Sequence, residues 1–429
     1  MAINRRLFLS SLASGIAGAA AAKAITPPQY RKMPDTDLKL LDNFILYAAG
    51  SHGNRVARYQ HFYDERSASL LTEIDIKSGH IKRSDVPIAG SHYPFVDADH
   101  DRITILDQYG RQGAVLDMDH KFIAHLDAPD GYDFSGHGTL LPGTDLFVAS
   151  LNFIDPQTSK NEGKLIVVDV AQNTPKVIDI VPSHGLQPHD MALSPDGQTL
   201  IIAHNGSTTN HRGDSKYRYL KEIVSPGLAV LDAKTLALRK FIRTPFEAEV
   251  THMDIRADGK VVCCLQQYLN TAKRSRDDAL ALFESEFGQE NIMLAAVELG
   301  RKAKGISLSL PSLLVDLDTG QATPFLENKL YQRQAQSVAY HSSTGKTAVS
   351  YPYVNGLLLI APDGTAEAMS SYGIGLHNIA GLTDLPGTPY MAMAGFDHDI
   401  SIVDMRTLEL VHQIRLPLLK TAHISARRV

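Results

Sequence analysis

The sequence predicts an all-β protein, and three features of residues 44–429 lead to that prediction. Short runs of β-forming residues alternate with turn residues along the whole stretch. One pattern, an apolar run opened by histidine, a turn and a second apolar run, recurs along the chain and is clearest at residues 187–205 (QPHDMALSPDGQTLIIAHN). The repeats are spaced by about the length of a four-stranded sheet, which is typical of a propeller.

Counting these repeats predicts a seven-bladed β-propeller. Inner strands are expected to begin at His92, His137, His189, His252, the Gln336–Ser337 pair and His377. The first blade lacks an inner strand at the front of the chain, but residues 421–426, which include His423, have the same pattern. We therefore expect the C-terminal strand to close the ring on the first blade, which removes exposed sheet edges.

The remaining segments are arranged around this single propeller. Residues 1–24 have paired arginines, a short apolar core and a small-residue cleavage pattern, which indicate a twin-arginine signal peptide and a periplasmic protein. Residues 25–43 are a lead-in segment. Residues 270–305 have helical spacing of apolar residues and predict a small helical insertion in the fifth blade. The apolar run of the signal is too short for a transmembrane helix. We therefore expect no membrane span in the mature chain.

Composition narrows the classes of function. The formal net charge is −5 over 429 residues, so we expect no nucleic-acid partner. Cys263 and Cys264 are the only cysteines, and as neighbours on a strand they point to opposite faces, which disfavours a disulfide between them. Nucleophile-elbow, dinucleotide-binding and phosphate-loop motifs do not occur in the sequence.

Histidine is the strongest functional signal, and half of the 18 histidines fall at two equivalent places in the repeat. These places, the starts of inner strands and the ends of second strands, meet at one mouth of a propeller channel. The predicted metal ligands are His92, His137, His189, His252, His377, His423, His52, His204 and His398. Imidazoles gathered from several strands suit copper, iron, zinc or nickel, whereas magnesium and calcium prefer oxygen ligands. The alternative for any one of them is a structural bond to the backbone of a neighbouring blade.

Several motifs also resemble a known family. They are residues 134–138 (FSGHG), 185–190 (GLQPHD), 203–206 (AHNG), 225–232 (SPGLAVLD), 251–253 (THM) and 396–399 (FDHD). In this order they resemble a family of twin-arginine-exported, propeller-like proteins of unknown function, whose members are typically encoded beside imelysin-type periplasmic iron-uptake proteins. The resemblance implies a role in iron acquisition and an imelysin-type partner.

A looser likeness is to the histidine-lined propeller of nitrous oxide reductase, which holds a copper cluster. This sequence departs from that enzyme at the polar Gln336–Ser337 pair, and we expect no cupredoxin domain after the propeller. The likeness implies copper as a second metal to consider. The departures argue against the activity of that enzyme.

Three functions remain open from the sequence. The first is a periplasmic metal-binding propeller that handles iron or copper, although zinc also fits the ligands. The second is an enzyme, either a metal-dependent oxidase or a lactonase-like hydrolase, with Asp190, Asp254 or Asp397 as candidate acid or base. The third is a protein-interaction scaffold of an iron-uptake system. The sequence does not decide whether the protein is catalytic.

Overall fold

The computed structural model describes residues 39–51, 69–153, 163–172, 174–207, 225–246, 248–269, 306–309, 311–325, 335–376, 378–395, 399–415 and 420–429. Within these ranges the protein is all-β, and the strands pair antiparallel. The predicted signal peptide, most of the lead-in segment and the predicted helical insertion at residues 270–305 lie outside the described residues. No helix in the described part of the chain has the length and hydrophobicity to span a membrane.

The first sheets follow one another along the chain. One contains β1 (Phe44–Ser51), β2 (Ser69–Asp75), β3 (Ile81–Val86) and the C-terminal β29 (Lys420–Arg428). The next strands are β4 (Ser91–Asp97), β5 (Arg102–Gly110), β6 (Gln112–Asp117) and β7 (Phe122–Asp127). They are followed by β8 (Tyr132–Leu140), β9 (Leu146–Phe153), β10 (Lys164–Asp169) and β11 (Lys176–Pro182). These last two groups are joined into one eight-stranded sheet, because β5 pairs with β8.

The other sheets have the same plan. They are β12 (Pro188–Leu193), β13 (Thr199–His204), β14 (Gly227–Asp232) and β15 (Leu238–Arg243); then β16 (Glu249–Ile255), β17 (Val261–Leu269), β18 (Ile306–Ser309), β19 (Leu313–Val315) and β20 (Ala322–Pro324). After these come β21 (Ser337–His341), β22 (Lys346–Tyr351), β23 (Gly356–Ile360) and β24 (Ala366–Ser370); then β25 (Ile379–Asp384), β26 (Tyr390–Gly395), β27 (Asp399–Asp404) and β28 (Glu409–Arg415). Short 3-10 helices lie at Pro352–Val354 and Ser371–Ile374.

The strands on the inside of the fold contact one another in a closed ring. We call β29, β4, β8, β12, β16, β21 and β25 the inner strands. Each contacts the next in this order, and β25 contacts β29 again. The ring closes as the sequence predicted, because β29 pairs antiparallel with β1 and places His423 opposite Ala49. The fold is therefore propeller-like.

Bulges interrupt the pairing of six inner strands, and in β4, β8, β12, β16 and β29 the bulge lies at or beside a histidine. The register shifts lie at Ser91/Pro94 in β4, Phe134/Gly138 in β8, Pro188/Met191 in β12, Val250/His252 in β16, Ile379/Gly381 in β25 and opposite Ala49/Gly50 in β29. β21 has no histidine at its start, and it pairs with β22 without a shift. Because a bulge re-aims the side chains of its strand, the shifts release the histidines from strict in-and-out alternation.

The hydrophobic core lies between neighbouring sheets. Leu46 of β1 packs in one cluster with Ile402 of β27, and Ile201 of β13 packs in another with Cys263 of β17. Cys264 belongs to a different cluster from Cys263, so the two thiols occupy opposite faces of β17, as predicted, and form no disulfide. Burial raises the pKa of the Cys263 thiol, which makes it an inert core residue.

Candidate metal centre

Five histidines from five inner strands meet inside the ring. They are His92 of β4, His137 of β8, His189 of β12, His252 of β16 and His423 of β29, and we call them the histidine cluster. Each is at most 6% exposed. The rings of His92 and His423 are 4.3 Å apart between centroids, and those of His92 and His137 are 4.8 Å apart. One nitrogen from each of the first four lies within 4.8 Å of the others.

The protein itself leaves several ring nitrogens of the cluster without hydrogen bonds. Nε2 of His92 lies 3.0 Å from Nε2 of His137, so one ring donates to the other. Within the described part of the chain, Nδ1 of His189 and both nitrogens of His252 have no hydrogen-bond partner. A buried polar atom left unpaired costs about 1–3 kcal/mol. A neutral imidazole has a lone pair on one nitrogen only, so a metal ion that accepts the lone pairs of His189 and His252 would remove part of that cost.

Burial keeps His92, His189, His252 and His423 in their neutral form. Burial, followed by the charge of neighbouring His137, lowers the pKa values of His189 and His423 to about 3. Burial, followed by the charge of His423, lowers the pKa values of His92 and His252 well below the usual range. A metal ion binds the neutral imidazole, so these rings carry the lone pairs that coordination requires.

The distances and donor types fit a transition-metal ion. Metal–nitrogen bonds in proteins are about 2.0–2.1 Å long, which places four tetrahedral nitrogens about 3.3–3.4 Å apart. The Nε2 atoms of His92 and His137 are 3.0 Å apart, and the wider set lies within 4.8 Å. Small side-chain movements, with a shift of the proton that now joins His92 and His137, would complete a site. An all-imidazole set suits copper, iron or zinc and disfavours calcium and magnesium.

One carboxylate connects three of the strands that carry the cluster. Asp190 follows His189 in β12, and its Oδ1 lies 3.1 Å from Nδ1 of His137 in β8. Its Oδ2 accepts the backbone N–H of Met253 in β16, at 3.0 Å. Burial alone would raise the pKa of Asp190, but the neighbouring His137 outweighs it and the pKa is lowered. The carboxylate therefore orients His137 with Nε2 toward His92.

A cavity of about 290 Å³ adjoins the cluster. Its lining includes His137, His252, His423, Tyr93, Asp190, Asp254 and Asp384. Tyr93 stacks on His137 with ring centroids 5.7 Å apart and 17° between the planes. Burial, followed by the charges of Asp190 and Asp254, raises the pKa of Tyr93 to about 12. Burial also raises the pKa of Asp254 to about 7, although the backbone N–H groups of Tyr340 and Ile255 oppose this shift.

The nine predicted histidines have three outcomes. The structure brings five of them together, namely His92, His137, His189, His252 and His423. His52, His377 and His398 lie outside the described residues. His204 lies apart from the cluster, because its Nε2 is 3.1 Å from Oγ of Ser183 and its Nδ1 is 3.2 Å from the carbonyl oxygen of Ile202. Metal coordination by the five stays a prediction.

Sequence reasoning missed Tyr93 and Asp384 as parts of the site. Tyr93 follows His92 directly, so strict alternation would place the two side chains on opposite sides of β4. The bulge at Ser91/Pro94 interrupts this alternation, and both side chains contact the site. Asp384 ends β25 and accepts the backbone N–H of Ser342, much as Asp254 of β16 accepts that of Tyr340. An aspartate repeated in inner strands was the signal that could have identified it.

The middle of the chain is similar to a known family. Residues 108–303 match the sequence profile of a family described as a protein of unknown function, DUF1513. The match includes His137, His189 and His252, while His92 and His423 lie outside it. No curated protein matches the chain in sequence.

Among solved structures, the chain is similar to hydrazine synthase of Kuenenia stuttgartiensis, with a TM-score of 0.52 and 12% identity over 82% of this chain and 94% of that one. It also resembles the β-propeller domain of Cps50 (Swd1) of Myceliophteria thermophila, with a TM-score of 0.49 and 12% identity over 83% of this chain and 97% of that one. At this identity the first likeness supports the fold and nothing further.

Proposed function

We propose that this protein is a seven-bladed β-propeller of the periplasm that binds iron or copper at the histidine cluster and serves in metal uptake or trafficking. The single observation that carries the proposal is the meeting of four buried histidines whose ligand nitrogens lie within 4.8 Å of one another. The ring order of the inner strands supports the count of blades. The twin-arginine pattern in residues 1–24 supports the location.

The chemistry of the cluster supports a transition metal as the bound species. Binding at a buried set of imidazole nitrogens depends on coordinate bonds of the kind that copper, iron and zinc form with imidazole. Coordination of an ion by His252 would offset part of the free-energy cost of its unpaired, buried ring nitrogens. Iron is favoured over zinc by the family resemblance, and copper by the likeness to a histidine-lined copper propeller.

The test is the metal content of the protein, exported by its own route and purified without chelator or metal-affinity tag. Elemental mass spectrometry should find near-stoichiometric iron or copper in the natural protein. The double variant His189→Ala/His252→Ala should lose most of it and keep the circular dichroism of the folded protein. His204→Ala is the matched control, because it removes a buried histidine outside the cluster. A full metal load in the double variant, or no metal in the natural protein even after loading, would refute the proposal.

An imelysin-type periplasmic iron-uptake protein is the partner we propose, on the strength of the motifs that resemble that family's companions. Purified imelysin-type protein should bind this protein in a titration followed by light scattering or calorimetry. An unrelated periplasmic protein of similar size and charge is the control. Equal binding of both proteins, or of neither, would reject the partner.

The cavity beside the cluster favours a second candidate, a metal-dependent oxidase. A catalytic metal site needs an open coordination position with room for a substrate, and the cavity of about 290 Å³ touches three cluster histidines. Oxygen consumption with ferrous or cuprous ion, lost in the His189→Ala/His252→Ala variant, would establish the oxidase. Turnover of a lactone, lost in the same variant, would establish a hydrolase instead.

A further inference from the structure

We infer that the cavity beside the histidine cluster is the path by which a free metal cation reaches the cluster, and that Asp384 attracts the cation along it. The inference rests on the proposed function and adds to it the form of the cargo, a free cation and not an anionic chelate. Two independent features of the same cavity carry it: the charge of its walls and the unpaired nitrogens at the cluster.

The charge of the cavity wall has one sign. The carboxylates of Asp190 and Asp384 line it together with the carboxyl group of Asp254, and no lysine or arginine does so among the described residues. Because burial raises the pKa of Asp254 to about 7, Asp190 and Asp384 supply most of the negative charge. His252 and His423 on the same wall are held neutral by burial, which lowers their pKa values. A cleft of one charge with apolar walls concentrates counter-ions, and can raise their rate of association about tenfold or more.

Asp384 is the carboxylate best placed for this role. Its Oδ2 accepts hydrogen bonds from the backbone N–H and the hydroxyl of Ser342, at 3.1 and 2.6 Å. Its Oδ1 lies 3.5 Å from Nε2 of His341 and makes no hydrogen bond within the described residues. Burial lowers the pKa of His341, so this neighbour is a neutral ring and not a cation. No cation therefore neutralises Asp384 among the described residues, and its negative charge contributes to the electric field in the cavity.

The destination of the ion lies in the same cavity. His252 lines it, is 6% exposed, and has two ring nitrogens without partners among the described residues. The wall contributed by β21 and β25 consists largely of small or neutral side chains, such as Ser337, Ala339 and Thr383, and it leaves room beside the cluster. An anionic chelate would meet the negative charges of Asp190 and Asp384 on this route, and we expect it to deliver no metal until it releases its ion.

The test is the rate at which the metal-free natural protein takes up Co²⁺, followed by the visible absorption that the ion gains on nitrogen coordination. The variants are Asp384→Asn and the control Asp363→Asn, which removes an equal charge from an exposed turn outside the cavity. At low salt we expect Asp384→Asn to slow uptake about threefold or more and the control to match the natural protein. The final absorption should be the same in all three, since the ligands are intact.

Two results would overturn the inference. One is uptake by Asp384→Asn at the natural rate while the natural protein binds Co²⁺ normally. The other is a rate of Co²⁺ uptake by the natural protein that is the same at low and at physiological salt, although the Debye length falls from about 30 to about 8 Å. This second measurement decides the question if Asp384→Asn does not fold. Absence of Co²⁺ binding in the natural protein is a different result, and it would reject the proposed function itself.

Discussion

Oδ1 of Asp190 lies 3.1 Å from Nδ1 of His137 and so determines which nitrogen of that ring is available to the cluster. Replacement of Asp190 by asparagine removes the negative charge, and the new amide can donate to Nδ1 and move the ring proton to Nε2. We expect Asp190→Asn to weaken metal binding about 10- to 100-fold, measured by competition with a chromophoric chelator.

Asp196→Asn is the control for this prediction, because Asp196 is an exposed turn residue six positions further along. The control should bind metal like the natural protein. A dissociation constant and a Co²⁺ spectrum unchanged by Asp190→Asn would show that the carboxylate does not position His137.

Gly136 is predicted to be essential for the position of His92. Its φ is +95°, and a Cβ added there would overlap the imidazole of His92, with Cγ only 2.7 Å away. Gly136→Ala should therefore lower metal occupancy as well as stability, measured by elemental analysis and urea unfolding. Gly131→Ala is the control: its φ of +84° imposes a similar backbone strain, but nothing lies within 4 Å of the new carbon. Equal metal occupancy in the two variants would contradict the prediction.

A bound metal is expected to fasten the C-terminal strand through His423. β29 pairs with β1, and the ring of His423 lies 4.9 Å from that of His252. Saturating metal should slow hydrogen exchange in β29 of the natural protein, since a ligand present at 100 times its dissociation constant adds about 2.7 kcal/mol of stability. In His423→Ala, metal should no longer slow hydrogen exchange in β29, but it should still slow exchange in β4 and β12. Metal-induced protection of β29 in that variant would exclude His423 as the link.

His204 should make the protein less stable in mild acid. Burial lowers its pKa to about 3, whereas an unfolded histidine titrates near about 6.5. Between these values only the unfolded chain binds the proton, so the free energy of unfolding falls as the pH falls, by up to about 1.4 kcal/mol per pH unit from this one residue.

The comparison that isolates this effect is His204→Gln against the natural protein, by urea unfolding at several pH values from 7 to 5. The variant should start from lower stability and lose less of it on acidification. Parallel losses in the two proteins would show that His204 does not titrate as predicted.

Much of the architecture could be predicted because strand and turn signals are local. The histidine-led repeat located β4, β12 and β16, and the same pattern at residues 421–426 identified the strand that closes the ring. The sequence also suggested Asp190 as a partner for a histidine, since the two residue types are adjacent at positions 189 and 190.

The parts of the site that escaped prediction depend on bulges and on contacts between sheets. Equivalent sequence positions do not give equivalent side-chain directions: His204 lies opposite Pro188 in the strand pairing, yet its ring packs against Phe241 and not with the cluster. Tyr93 and Asp384 reach the cavity through a register shift and a strand end that periodicity does not encode. The histidines could be grouped by repeat, but only the packed structure separates the five that meet from the one that does not.

β21 pairs regularly and has no histidine at its start, which would affect how an ion enters and leaves the histidine cluster. A ring with a histidine in every sector would surround an ion completely, and release would require the barrel of strands to open. β21 instead contributes Ser337 and Ala339 to the cavity wall, so an ion at the cluster would have no histidine on that side. An opening on this side would suit the proposed carrier, which would load and release its ion there without separating the strands that hold the histidines.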